Sequence, residues 1–111
     1  MPTIFEPKDL PVTEKNGSNV ATLANSTLLG TNALQVERIV LAAGAESESF
    51  EASVVERFVY VVRGKGQAHV SEQAFPLEVE SVLWLEKADT FYLEAGADGL
   101  EVLLCHAPAS E

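Results

Sequence analysis

The sequence predicts an all-β fold, a jelly roll or small barrel in a single domain. From Val20 onward, short runs of Val, Leu, Ile, Phe and Tyr are broken by Gly, Asn, Ser or Asp at intervals of roughly ten residues. No segment has the period of a helix longer than a turn or two. A chain of 111 residues is long enough for one hydrophobic core and too short for two.

The expected strands show two kinds of burial. Val36–Val40 alternates apolar and polar residues, which is typical of a strand with one solvent-exposed face. Phe58–Val62 is apolar on both faces. We expect Phe58–Val62 to be central, covered by the barrel core on one side and by a second layer or another subunit on the other. Turns are expected at 63–66, 71–73 and 95–99. The expected strands are 19–23, 34–41, 49–52, 58–63, 66–71, 75–79, 81–85, 90–93 and 100–106.

Residues 1–19 are expected to form an N-terminal arm or lead-in strand, because they contain three prolines and scattered charges without a period. Residues 20–111 are expected to form the barrel. The N-terminus has acidic residues and prolines where a signal peptide needs a basic and then an apolar segment, and no apolar run approaches the length that crosses a bilayer. The sequence therefore predicts a cytoplasmic protein.

The net charge argues against some classes of partner, and the cysteine count excludes some kinds of structural site. The net charge is −10, from 17 acidic against 7 basic residues, and such a surface repels nucleic-acid phosphates and anionic lipid head groups. Neither a nucleic acid nor a membrane surface is an expected partner. The single cysteine, Cys105, cannot form an internal disulfide or a zinc knuckle.

One stretch, from Gly44 to Gly66, reads GAESESFEASVVERFVYVVRGKG. It keeps the spacing of the first motif of the cupin family: Gly, five residues, His-x-His, three or four residues, Glu, six residues, Gly. The His positions of that motif fall on Phe50 and Ala52, and the Glu position falls on Arg57. The second cupin motif has Gly, Pro, Gly, His and Asn at its defining positions. In this chain those positions fall on Glu80, Glu86, Ala88, Phe91 and Ala95. The region from about residue 34 to residue 108 thus resembles a cupin barrel without its metal ligands.

The strand from Val55 to Gly64 is also similar to one in the N-terminal cupin of ureidoglycine aminohydrolases, which are two-cupin enzymes of purine degradation. That half of those enzymes likewise resembles a cupin without the metal triad. The resemblance implies that hydrolysis depends on manganese held by the other half. Because this chain has the length of one cupin, the resemblance implies the fold and not the activity.

Ligand chemistry argues against a metal cofactor at these positions. A divalent transition ion needs three or four convergent imidazole or carboxylate donors, and Phe50, Ala52 and Phe91 donate nothing. Arg57 adds a positive charge that cannot be removed by deprotonation. We therefore expect no metal and no other cofactor.

Two interpretations of these positions remain open. In the first, Phe50 and Phe91 pack as core, and Arg57 pairs with a carboxylate such as Glu46, Glu48 or Glu51. In the second, the side chains line an apolar cavity with one buried cation, which suits a small carboxylate or another anion. The expected ligand-binding residues are Phe50, Ala52, Arg57, Phe91 and His106.

Two functional hypotheses follow. The chain is either a non-catalytic cupin module that binds a small molecule or serves as a structural partner, acting as a homodimer, or a metal-independent enzyme. The enzyme would be an isomerase, lyase or hydrolase of a small carboxylate, with Arg57 as the anion anchor and a pocket glutamate or His106 transferring protons.

Several other residues have chemistry of their own. Cys105 and His106 are adjacent on a strand and point to opposite faces, so we expect a buried thiol of ordinary acidity and not a Cys–His pair. His69 is expected to be exposed and has no assigned role. Core or subunit-interface positions are expected for Trp84 and Tyr92. An acidic cluster could hold a hard cation, do acid–base work or form a solvated loop; its members are Glu46, Glu48, Glu51 and Glu56.

Overall fold

The computed structural model describes residues 4–6, 8, 10–15, 17–30 and 33–107. It confirms the predicted all-β fold. Parts of the expected N-terminal arm, and the end of the expected barrel after residue 107, lie outside the described residues. Among those described, no helix is long and apolar enough to cross a membrane. The elements are β1 (Val12–Lys15), β2 (Ser18–Ala24), α1 (Ser26–Leu29), β3 (Gln35–Leu41), β4 (Arg57–Val70), β5 (Gln73–Leu77), β6 (Val82–Leu85) and β7 (Phe91–His106).

The strands form one antiparallel sheet in the order β1-β2-β3-β7-β4-β5, and β6 pairs with β4. The sheet curls around a core in which each central strand contributes alternate residues. Ile39 lies opposite Val102, which lies opposite Val61, and all three are fully buried. Cross-strand neighbours share a face, so this row defines the interior side of β3, β7 and β4.

The turns expected at 63–66 and 95–99 are not present, because both segments lie inside the long strands β4 and β7. Their glycines permit bulges and close backbone contact. A Cβ atom on Gly64 would lie 2.2 Å from the carbonyl oxygen of Gly99, and one on Gly66 would lie 2.1 Å from that of Glu94. The register between β4 and β7 shifts at this point, where residues 96–99 lie opposite Lys65 alone. The pattern that resembled a hairpin turn is a bulge at a barrel corner.

The other strands and turns differ less from the bounds expected from the sequence. The expected strand 49–52 is reduced to one isolated bridge between Phe50 and Phe91, and the strand expected at 75–79 is β5, two residues earlier. The turn at Ser71 and Glu72 is confirmed, with positive φ values of 47° and 71°. In the expected lead-in segment, β1 pairs with β2 and so joins the sheet.

Candidate functional site at the polar end of the barrel

The interior of the barrel changes from apolar to polar at one end of β3, β7 and β4. His106 lies directly opposite Gln35 on one side and Arg57 on the other. Glu37 is two residues further along β3, on the same face as Gln35. Three neighbouring strands thus place four polar side chains together, next to a core that is otherwise apolar.

Arg57 points inward on the same face of β4 as Val59 and Val61, as the cupin register predicts, and only 7% of its surface is exposed. Its Nη2 donates a hydrogen bond to the carbonyl oxygen of Asp89 at 3.0 Å. Its Nε is buried and has no hydrogen-bond partner among the described residues. Burial lowers the pKa of the guanidinium from its ordinary value, and the charge of Asp89 acts in the opposite direction.

The ion pair considered in the first interpretation is not formed. Within the described part of the chain, no carboxylate lies within 4.0 Å of the Arg57 guanidinium. Glu48 instead pairs with Lys15 at 3.4 Å. Glu46 and Glu51 are exposed to solvent, where charged side chains are stable without a partner. The carboxylates near the barrel mouth therefore do not neutralise Arg57.

Aromatic rings take the place of an anion beside Arg57. The guanidinium carbon lies 5.1 Å from the centroid of the Phe91 ring, which is a cation–π distance. Phe91 stacks in turn on Phe50, with centroids 4.7 Å apart and planes inclined by 17°. The structure therefore brings Phe50, Phe91, Arg57 and His106 to one end of the barrel, whereas Ala52 is exposed and does not join them.

Glu37 is the residue of this site that the sequence analysis missed. Burial raises the pKa of its carboxyl above the ordinary value of 4.5, and the nearby charge of His106 partly opposes this rise. Its inward orientation could have been inferred, because Glu37 is two residues from Ile39 in an alternating strand. The proximity of His106 could not, because it depends on the register of β3 against β7.

A cavity of about 210 Å³ opens beside Glu37, between β1, β2 and the segment that precedes β4. That segment is anchored to β7, because the Ser47 N–H donates to the Leu93 carbonyl at 2.8 Å and the Leu93 N–H donates to Ser47 Oγ at 2.9 Å. The cavity has one apolar wall and several hydroxyl and charged groups. Its lining residues are Thr13, Lys15, Ser18, Val20, Glu37, Ser47, Glu48 and Phe50.

No metal centre is evident in the described ranges, where no group of three or more His, Cys, Asp or Glu side chains is arranged to hold an ion. The expected acidic cluster is dispersed. Glu48 pairs with Lys15, and Glu56 accepts a hydrogen bond from Trp84 Nε1. At the position that resembles a metal-ligand glutamate, the buried cation Arg57 would repel a metal ion.

Three further expectations need correction. Cys105 is buried, as expected, but its acidity is not ordinary, because burial raises the pKa of the thiol. His69 is not exposed and isolated, since it is half-buried and hydrogen-bonded to Glu94. Trp84 is 60% exposed and therefore is not a core residue of this chain.

The sequence matches no protein-family model and no curated protein. Solved structures resemble the chain over most of its length. One is a predicted oxalate decarboxylase from Thermotoga maritima, with a TM-score of 0.78 and 14% identity over 93% of this chain and 96% of that one. Another is an RmlC-like cupin from Shewanella frigidimarina, with a TM-score of 0.77 and 17% identity over 100% of this chain and 95% of that one.

A third similar structure is Pac13, a nucleoside dehydratase, which has also been solved from Streptomyces with uridine. Its TM-score is 0.78 at 17% identity, over 100% of this chain and 86% of that one. The chain therefore has the cupin jelly-roll fold. At this identity, the likeness establishes the fold, and the chemistry has to be argued from the site.

Proposed function

We propose that this cupin domain holds no metal and binds a small carboxylate or a related anion at the polar end of its barrel, with Arg57 as the charge partner. The observation that supports the proposal is a buried guanidinium with an unsatisfied Nε and no carboxylate within ion-pair distance in the described chain. A buried charge is stable when it is paired and hydrogen-bonded, and an anionic ligand would supply both interactions.

The ligand would enter through the cavity beside Glu37. Arg57 does not line that cavity, but Phe50 does, and Phe50 stacks on the ring that Arg57 contacts. Backbone hydrogen bonds of 2.7 and 3.0 Å between Phe50 and Phe91 hold the main chain in place. Rotation of the Phe50 side chain would expose the Phe91 ring, and a ligand would reach Arg57 once the Phe91 ring had also moved aside. The small cavity favours an acid of a few carbon atoms over a drug-sized molecule.

A second candidate function is metal-independent proton transfer on the bound carboxylate, by an isomerase, lyase or hydrolase. It is favoured by Glu37, whose raised pKa brings it closer to the range in which a carboxyl group both accepts and donates protons near neutral pH. His106 lies close enough to influence Glu37 electrostatically. Glu37 and Arg57 face the same end of the barrel interior, on strands separated by β7, and removal of a proton next to a carboxylate requires a base and an anion anchor that both reach the ligand.

We also propose that the chain acts as a homodimer through the outer face of β4 and β6. On this face Phe58 lies opposite Trp84, and Tyr60 opposite Val82. Trp84 and Val82 are 60% and 62% exposed, and the Phe58 and Trp84 rings are parallel to within 4°. A continuous apolar surface of this kind is stabilised when a second copy covers it.

A ligand screen with two arginine variants tests carboxylate binding. Acetate, succinate, oxalate and benzoate would be added separately to wild-type protein, Arg57→Met and Arg63→Met, and the melting temperature measured. Arg63 is a matched control, because its exposed side chain pairs with Glu101. At a hundred times its Kd, a ligand adds about 2.7 kcal/mol to the free energy of unfolding.

We expect at least one acid to raise the melting temperature of the wild type and of Arg63→Met, and to leave Arg57→Met unchanged. Equal shifts in all three proteins, or no shift in any, would contradict carboxylate binding at Arg57. Proton transfer is tested separately, by incubating the bound acid in deuterated buffer and following exchange of its C–H groups by NMR. Exchange that is as fast with Glu37→Gln as with the wild type would contradict the catalytic role while leaving the binding role intact.

A further inference from the structure

A second pocket, of about 500 Å³, lies on the outer face of the sheet, separate from the barrel cavity. It lies at the end of the β4–β5 hairpin and is bordered by Ser49 and Glu51 on its other side. Those two residues flank Phe50, whose side chain lines the barrel cavity. Alternate residues of this segment therefore contribute to different sites. Phe91 also lines the outer pocket, but Arg57, the charge partner in the function proposed above, does not.

The floor of the pocket is an ordered pair of rings. His69 on β4 lies directly opposite Tyr92 on β7, and their rings stack with centroids 4.5 Å apart and planes inclined by 12°. His69 Nε2 lies 2.8 Å from Glu94 Oε1. Both the orientation and the hydrogen bonding of the imidazole are thereby constrained.

The hydrogen bond to Glu94 also determines what the other ring nitrogen can do. A carboxylate oxygen accepts hydrogen bonds, so the tautomer of His69 that fits this contact has its proton on Nε2. In the neutral imidazole, Nδ1 of His69 then has a free lone pair and acts as an acceptor. A ligand that donates N–H groups would match it.

The charges around the rings have one sign. Glu51 and Glu72 line the pocket, Glu94 lies beside His69, and the described lining residues include no lysine or arginine. A cleft lined by charges of one sign concentrates ions of the opposite sign. Tyr92 adds an aromatic surface, and hydroxyl groups come from Ser49, Ser71 and Thr90. Carboxylates, an aromatic ring and a nitrogen acceptor are together the groups that bind an ammonium ion.

We propose that the outer pocket is a binding site for a small organic cation, a primary amine, held by Glu51 and Glu72 above the His69–Tyr92 pair. Glu72 belongs to the two-residue turn of the β4–β5 hairpin and lines the pocket there.

NMR titration with 1,4-diaminobutane tests the proposal, with butane-1,4-diol as the uncharged control. The chain has two histidines, so the ring signals of His69 report on the outer pocket and those of His106 on the barrel. The titration would be made at about 0.15 M salt, where interactions between distant surface charges are screened. It would be repeated on two double variants that each remove two negative charges, Glu51→Gln with Glu72→Gln and, away from the pocket, Glu78→Gln with Glu80→Gln.

We expect the diamine to shift the ring signals of His69 and Tyr92 in a saturable way and to leave those of His106 unchanged. Loss of Glu51 and Glu72 should weaken binding by about tenfold or more, the effect of losing a charge-assisted hydrogen bond. The variant with both changes outside the pocket should stay within about twofold of the wild type. Equal weakening in the two double variants, equal shifts with the diol, or unmoved His69 signals would each overturn the proposal.

Discussion

The guanidinium of Arg57 lies 5.1 Å from the centre of the Phe91 ring and donates to a backbone carbonyl at 3.0 Å. Neither partner carries a full negative charge. The buried cation is therefore stabilised by a quadrupole and a dipole, and it remains available to an anion. An arginine in an internal ion pair has its charge already neutralised. Arg57 contacts only a ring and a backbone carbonyl in these two interactions, so its charge can still bind a ligand.

The stability of Arg57→Met tests that distinction. Breaking a buried ion pair costs about 3–5 kcal/mol, because the partner charge is left buried. Here the carboxylate whose charge acts on Arg57, that of Asp89, is only half-buried and beyond ion-pair distance, so no buried charge is stranded. Methionine can also fill the space against Phe91, so we expect the free energy of unfolding to change by about 1 kcal/mol or less. Urea denaturation measures it, with Leu104→Ala as a control that should lose about 2–5 kcal/mol. A loss from Arg57→Met as large as the control's would show an internal charge partner.

The pH dependence of the free energy of unfolding tests whether the pKa of Glu37 is raised in the folded protein. Because burial raises its pKa in the folded protein, the folded state binds more protons than the unfolded state between the ordinary value of 4.5 and the raised one. Stability therefore falls as the pH rises through that window. We expect Glu37→Gln to be more stable than the wild type at neutral pH, by about 1 kcal/mol or less, and to lose this advantage when the pH falls below 4.5. An advantage that is the same at both pH values would argue against a raised pKa.

Elemental analysis of purified protein tests the metal-free proposal. We expect no Mn, Fe, Ni or Zn in stoichiometric amount, because Phe50, Ala52, Arg57 and Phe91 occupy the positions that resemble ligands. A metal that resists dialysis would contradict this expectation. If replacement of Glu46, Glu48 or Glu51 then released it, the ion would lie at a relocated site.

Light scattering tests the proposed dimer. We expect a mass twice that of the chain, and a shift to monomer when Val82→Asp places a charge in the apolar face of β4 and β6. Val12→Asp is the matched control, because Val12 is 53% exposed on β1, at the other end of the sheet order. A monomer mass for the wild type at all accessible concentrations would exclude this dimer.

The bulge between β4 and β7 predicts an asymmetry between two glycines. Alanine at Gly66 would place Cβ 2.1 Å from a backbone carbonyl oxygen, whereas alanine at Gly96 would place it 3.2 Å from one. We expect Gly66→Ala to lower the free energy of unfolding by about 3 kcal/mol or more, and Gly96→Ala to lower it by less than half as much. Thermal or urea unfolding of both variants measures the difference. Similar losses would mean that the two strands are further apart than described.

The turns expected at 63–66 and 95–99 are absent for the same physical reason. Gly64 and Gly99 have positive φ values of 87° and 81°, which are equally compatible with a tight turn and with a bulge. Only the partner strand decides between them. β4 and β7 pair along most of their lengths, so the chain continues through the glycines in place of reversing.

Some residues of the candidate site could be predicted from the sequence, and others could not. Phe50, Phe91 and Arg57 could be selected from the sequence, because motif spacing picks out positions that converge in a barrel. Ala52 was selected on the same grounds and is exposed, since the segment around it forms a single bridge and not a strand. Glu37 and His69 were missed because their significance lies in partners on β7, and no local pattern encodes which residues a strand will face.

The sequence by itself determined the all-β class, because short apolar runs, side-chain alternation and turn residues are properties of neighbouring residues. The inward orientation of Arg57 followed from the resemblance to the first cupin motif, since the neighbouring strand residues are apolar on both faces. The tertiary structure decided which charges meet. It placed Arg57 against Phe91 and not a carboxylate, Glu37 near His106, and His69 opposite Tyr92. These pairings depend on strand order and on register shifts at two bulges, and such shifts move side chains by whole residues without leaving a distinct pattern in the local sequence.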